Sequence, residues 1–214
     1  MPHDIDYIVD EIINNSGYFI IKNYYDPVLV DYALRYVRKA TAPYCDRVLE
    51  RRVWDMHTKT DKFKSFAYPE IAAQVFNKIL GTKHKLNTFG ANRLMPGAQA
   101  QEPHTDYPYW GIHDKQSLPM NFNSSFALAC QTLVPLTDYT TTNGAIEVVP
   151  GTQKLCEYPT DTEFLNNKII LELNPGDLLM YHSLLWHRAG HNTSQNDRIS
   201  LLGQYTAYFI MNMK

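Results

Sequence analysis

The sequence predicts a mainly β protein with flanking helices, a double-stranded β-helix or jelly roll, and three observations predict it. Residues 1–84 carry apolar side chains largely at helical spacing. From Leu86 onward the pattern changes to short apolar runs cut by Gly, Pro, Asn and Asp. The 15 Tyr and 9 Phe call for the aromatic-rich interior that β structure accommodates. At 214 residues, with no central linker, repeat or low-complexity tract, the chain reads as one domain over 1–214, with 1–84 as helical support and 85–214 as the jelly-roll core.

The elements follow in order. Asp4 to Asn15 has helical periodicity, and Gly17 to Lys22 is a short strand. A longer helix follows Pro27 toward Ala42, with Val28, Leu29, Tyr32, Leu34 and Val37 near one face. Pro69 to Leu80 is another helix. Strands are expected at 86–95, 100–107, 125–136, 145–149, 168–173, 178–188 and 198–209.

Composition excludes several partners. A formal charge of −2 gives no electrostatic reason to expect nucleic acid or an anionic membrane. Cys45, Cys130 and Cys156 are odd in number and lack CxxC spacing, as suits reduced thiols in a cytoplasmic protein. No signal peptide or transmembrane run is visible.

The chemistry concentrates in His104, Asp106, His187 and Arg198. Residues two apart on a strand share a face about 6.6 Å apart along the backbone, so His104 and Asp106 can converge on one metal. His187 ends a buried run that starts at Leu178 after the turn Asn174-Pro-Gly-Asp177. His182 has the opposite parity, so a regular strand presents only one of the two histidines to the metal. His191 is set aside: Gly190 and Asn192 disfavour a helix, and an extended chain would hold it about 13 Å from His187. Two imidazoles and a carboxylate form the facial triad that leaves open positions on iron(II) for a chelating co-substrate and O2. Arg198 adds a planar fork suited to a carboxylate, which points to a dicarboxylate such as 2-oxoglutarate.

Pro103-His-Thr-Asp106, Thr142-Asn-Gly-Ala-Ile-Glu-Val-Val-Pro-Gly-Thr152, Pro175-Gly-Asp177, and His187-Arg-Ala-Gly-His-Asn192 with Arg198 occur in this order. On these motifs, residues 86–205 resemble the phytanoyl-CoA dioxygenase family of iron(II)/2-oxoglutarate oxygenases, and Gly17 to Asn23 resembles its early strand. The resemblance implies His104, Asp106 and His187 as iron ligands, Arg198 as partner of the distal 2-oxoglutarate carboxylate, and release of succinate and CO2. Where family members often carry a small hydroxyl residue two positions after the second His, this chain has Ala189, so that hydrogen bond is absent or supplied elsewhere. Asp106 fills the site where related halogenases bind chloride, which favours hydroxylation over chlorination.

Around this centre, Gln99 or Gln131 is expected to hold the keto-carboxylate end of the co-substrate, against an ordinary barrel hydrogen bond. Gln101, Thr132 and Arg93 are further polar wall residues. Tyr107, Tyr109, Trp110 and His113 are expected at the substrate mouth with Arg93, against plain aromatic packing at the rim. Few basic residues flank the ligands, so a free small molecule is expected rather than a coenzyme A thioester. The alternatives are a cupin-like metalloenzyme that does not use 2-oxoglutarate and a noncatalytic binding module on an oxygenase scaffold.

Overall fold

A computed structural model describes residues 4–106, 127–155 and 157–210. Helix α1 (Ile5–Ile13) begins where the Asp4 carboxylate accepts from the amides of Asp6 and Tyr7, and it buries Ile8 and Ile12, four residues apart on one face. Strand β1 (Tyr18–Ile21) follows, then α2 (Pro27–Thr41), capped by Asp26 with Pro27 in its first turn. The buried face of α2 is Val30, Ala33, Val37 and Thr41, while Val28 is exposed. Of the expected stripe, Val37 is buried and Leu29, Tyr32 and Leu34 pack partly buried against the core, so Val28 in the first turn is the residue that departs from it.

Strand β2 (Glu50–Trp54) was not foreseen. Its Glu-Arg-Arg-Val-Trp sequence lacks an apolar run, and it forms as an edge strand paired only with β3 (Lys85–Leu94). Between β2 and β3 lie α3 (Met56–Lys59), a 3-10 turn (Asp61–Phe63), α4 (Lys64–Ala67) and α5 (Glu70–Leu80). The remaining elements among the described residues are β4 (Ala129–Pro135), β5 (Ile146–Val149), a second 3-10 turn (Thr152–Lys154), α6 (Asp161–Asn167), β6 (Ile169–Ile170), β7 (Leu178–His182), β8 (Trp186–Ala189) and β9 (Arg198–Thr206).

The strands form a six-stranded antiparallel sheet of order β1-β7-β4-β9-β3-β2 and a three-stranded sheet of order β6-β5-β8. Together with the helices they make the expected mainly β jelly roll. Strand parity sorts the large sheet into two faces. Phe89, Ala91, Cys130, Val134, Leu178, Met180, Ile199 and Leu201 face the helices and pack with Ile8, Ile12, Val37, Phe63, Phe66 and Phe76. Each such buried large side chain stabilises the fold by about 1.5–3 kcal/mol relative to exposure. Leu133, Leu179 and Tyr181 face inward, against Ile146 and Val148 of the small sheet.

Two departures shape the interior. The expected strand 100–107 is a single bridge, His104 to His187. The expected strand 178–188 breaks at Ser183–Leu185, where the Leu185 amide donates to the His182 carbonyl. His182 thus ends a strand of the large sheet and His187 belongs to the small one, so the parity conflict is resolved by a turn. Asp177 of the Pro-Gly-Asp turn is fully buried, and its carboxylate accepts from the amides of Asn23 and Asn174 and from Lys22, tying the end of β1 to the start of β7. Among the described residues no helix is long and apolar enough to cross a membrane.

Candidate active site

The site starts from a backbone relationship. His104 and His187 exchange both main-chain hydrogen bonds, at 3.0 and 3.1 Å, and the Asp106 amide donates to the Ser183 carbonyl at 2.9 Å. The 104–106 segment is thereby laid along β8 and the turn before it. His104 and Asp106, with Thr105 between them, come to the same point as His187. His187 Nε2 lies 3.3 Å from Asp106 Oδ2, His104 Nε2 lies 4.0 Å from Asp106 Oδ1, and one ligand atom from each of the three falls within 4.8 Å of the others.

Local carbonyls fix the imidazoles. His104 Nδ1 is 2.7 Å from the Glu102 carbonyl, and His187 Nδ1 is 2.8 Å from the Leu185 carbonyl. A carbonyl only accepts, so each Nδ1 carries the proton and donates, which leaves a lone pair on Nε2 for a metal when the ring is neutral. Gln131 Nε2 donates to Asp106 Oδ2 at 2.9 Å and lies 3.3 Å from Ser183 Oγ. Gln131 therefore reaches the centre, but its amide nitrogen is directed at Asp106.

Electrostatics follow from burial and proximity. Burial, reinforced by His187, holds His104 below the ordinary imidazole value. For Asp106 burial pushes upward, but the charge and hydrogen bond of His187 outweigh it and keep the carboxyl low. For His187 burial pushes downward, and Asp106 reverses it. An anionic carboxylate beside Nε2 nitrogens is a donor set for a hard or borderline divalent cation.

Arg198 is 3% exposed and opens onto the same cavity, which has a volume of about 520 Å³. Its Nε donates to the Gly144 carbonyl at 2.9 Å and its Nη1 to the Tyr139 hydroxyl at 2.8 Å, with Ser200 Oγ at 3.4 Å and the guanidinium 4.7 Å from the centre of the Tyr139 ring. Nη2 has no hydrogen-bond partner among the described residues. Gly144, at φ +83°, sits where a Cβ would meet the Gly190 carbonyl at 2.9 Å, so the backbone turn that supplies this acceptor needs glycine. Ala189 lines the cavity without a hydroxyl, and the hydroxyls at Arg198 come from Tyr139 and Ser200.

Other expectations fare differently. Gln99 is exposed and bonds to the Gly97 carbonyl and His191, away from the cavity. Arg93 is also elsewhere: its parity turns it to the helix side, where it pairs with Asp197 at 2.8 Å and bonds to Thr41. Thr132 likewise faces outward, toward Tyr205. Gln101 does line the cavity, with its Oε1 accepting from the Ala189 amide and its Nε2 donating to Glu50. Tyr107, Tyr109, Trp110 and His113 lie outside the described residues.

Sequence reasoning missed Trp54, Tyr139, Tyr181, Ser200 and Gln204, and had Arg52 only as part of a basic segment, Arg47 to Arg52, able to fold over the mouth. The register brings several of them inward: Tyr181 pairs with Gln131, Gln131 with Gln204 and Gln204 with Thr88, a polar row across four strands. Ser200 could have been found, since it shares strand parity with Arg198.

Comparison with known proteins agrees with this picture. The family model for phytanoyl-CoA dioxygenase (PhyH) matches residues 14–200. Dioxygenase trt7 of Aspergillus terreus is 27% identical over 79% of this chain and 55% of its own length. The iron/alpha-ketoglutarate-dependent dioxygenase ausU of Aspergillus calidoustus is 34% identical over 47% of this chain and 31% of its own. An uncharacterized protein, Rv1501 of Mycobacterium tuberculosis, is 33% identical over 40% of this chain and 32% of its own. The chain spans about a third to a half of the length of these curated relatives. The crystal structure of SnoN, a non-heme alpha-ketoglutarate-dependent epimerase from nogalamycin biosynthesis, superposes with a TM-score of 0.73 at 18% identity, covering 94% of this chain and 80% of that one. Another SnoN structure, in complex with Fe3+, alpha-ketoglutarate and nogalamycin RO, gives 0.72 at 17% identity, covering 94% and 83%. The family match takes in the whole triad and Arg198, and the chain belongs to the phytanoyl-CoA dioxygenase family.

Proposed function

We propose that this protein is a non-haem iron(II)- and 2-oxoglutarate-dependent dioxygenase that hydroxylates a free small organic molecule and releases succinate and CO2. One observation carries the reading: His104, Asp106 and His187 converge on a cavity that the buried Arg198 also lines, and its Nη2 has no hydrogen-bond partner among the described residues. The donor set fits iron(II), with His104, Asp106 and His187 as ligands. Iron(II) with 2-oxoglutarate and O2 would supply the oxidising power for an unactivated C–H bond.

The chain's own residues prepare that chemistry. The Glu102 and Leu185 carbonyls hold both imidazoles in the ligating tautomer, and Gln131 orients the Asp106 carboxylate. Arg198 supplies charge for a distal carboxylate, with Tyr139 and Gly144 fixing its plane. Leu133, Ile146 and Leu202 line the cavity and limit water there. A cupin-like enzyme without 2-oxoglutarate would leave this buried guanidinium without its task. The free thiols Cys45 and Cys130 suit a reducing, cytoplasmic setting, and the whole works as one catalytic domain.

The test is anaerobic reconstitution. Calorimetry should show one iron(II) per chain, and admitting O2 with 2-oxoglutarate should yield succinate slowly even without substrate. Absence of iron binding, or of succinate formation by the iron-loaded protein, would sink the proposal.

A further inference from the structure

We propose that strand β2 carries the substrate-recognition wall of this cavity, and that Arg52 on it receives a carboxylate of the substrate while Trp54 supports its carbon body. The proposal rests on the dioxygenase reading for what the cavity does, and it adds the class of substrate: a small organic acid.

The register sets the wall. Arg52 pairs with Asn92 and Trp54 with Gly90, so both side chains share the inward face of the sheet, and both line the cavity with the triad. Gly90 makes the arrangement possible. A Cβ there would meet the Val53 carbonyl at 2.5 Å and the Trp54 ring at 2.7 Å, so only glycine lets the indole lie down over β3. The Arg52 guanidinium sits 5.8 Å from the centre of that ring, which leaves an apolar shelf beside a positive charge.

Arg52 is held as a receptor would be. Its Nε donates to Glu50 Oε1 at 2.9 Å, and its Nη2 donates to the same oxygen. That oxygen is itself fixed by Asn92 Nδ2 and Gln101 Nε2, both at 3.2 Å. Nη1 has no hydrogen-bond partner among the described residues, and the side chain is 41% exposed. One edge of the fork is thus pinned and the other is free, the geometry that pre-organises an arginine for a carboxylate. Arg188 at the same cavity also pairs with a glutamate, Glu147, and lies over a ring, Phe164, but its side chain is 14% exposed, so Arg52 is the more accessible of the two guanidinium groups.

The probes are phenylacetate and hexanoate with their primary amides, measured by ligand-observed NMR on the metal-free protein, each variant also in an Arg198→Ala background so that carboxylate binding at Arg198 is separated from binding at Arg52. The wild type should bind the acids at least about 10-fold more tightly than the amides, the scale of one charge-assisted contact. In the Arg198→Ala background Arg52→Gln should abolish that preference, and Glu50→Gln should reduce it. Trp54→Ala should weaken acid and amide alike. Equal binding of acid and amide by the wild type, or an acid preference that survives Arg52→Gln in that background, would overturn the proposal. Iron-dependent succinate formation by the wild type is scored separately: an Arg52-dependent acid preference without any succinate would overturn the dioxygenase reading and leave the anion site standing.

Discussion

His104 and His187 are hydrogen-bonded to each other through their backbones at 3.0 and 3.1 Å, and their rings lie 4.5 Å apart between centroids. Two imidazoles distant in sequence, the proposed iron ligands, are therefore brought together by two main-chain bonds. We expect His104→Ala and His187→Ala each to lose iron(II) binding by calorimetry while thermal unfolding stays cooperative. Retained one-to-one iron affinity in either variant would remove that residue from the ligand set.

Arg198→Ala should mainly raise the 2-oxoglutarate requirement. Losing a charge-assisted contact costs on the order of 1.5–3 kcal/mol, roughly 10- to 150-fold in the co-substrate KM. Tyr139→Phe removes only the hydroxyl that accepts from Nη1, and a smaller rise, about 5-fold, is expected. Steady-state succinate assays distinguish the two, and an unchanged KM in Arg198→Ala would refute the role.

Gln131→Leu should leave the iron ligands in place but free the Asp106 carboxylate to rotate. A loss of about 10- to 100-fold in iron affinity is expected, as for other groups that orient ligands. Gln99→Leu, at an exposed position outside the cavity, serves as the comparison and should leave iron affinity unaltered.

His182, fully buried, has its pKa pushed by burial down to about 4 from 6.5, and its Nδ1 accepts from the Leu184 amide. The folded pKa lies below the unfolded one. Its contribution is therefore complete above pH 6.5 and is lost as pH falls toward 4, amounting to about 3 kcal/mol at 1.36 kcal/mol per unit. Urea unfolding between pH 7 and 4 should show this slope. His182→Asn, which keeps an acceptor but cannot be protonated, should flatten it.

Asp177→Ala should destabilise the fold by about 2–4 kcal/mol, since it strips the acceptor from two backbone amides and from Lys22 at a fully buried position. Denaturant titration measures the loss, and a change below about 0.5 kcal/mol would show that the turn is held by other means.

The order of motifs, the helical start, most of the strands, and the grouping of His104, Asp106, His187 and Arg198 as one candidate site were legible in the chain, because parity and side-chain chemistry are local properties. What the tertiary structure decided was convergence. Whether His182 or His187 faces the centre depended on a turn at Ser183–Leu185 that a continuous apolar run does not announce. Gln131 and Gln99 have the same chemistry, yet only the β4 register places one of them on Asp106. Arg93 and Arg52 are cationic residues on adjacent strands, and opposite parity sends the first to Asp197 among the helices and the second to the cavity. β2 itself was invisible because its charged sequence acquires strand structure only from the β3 edge it pairs with. Side-chain type is written residue by residue, whereas which face meets the cavity is fixed by long-range pairing.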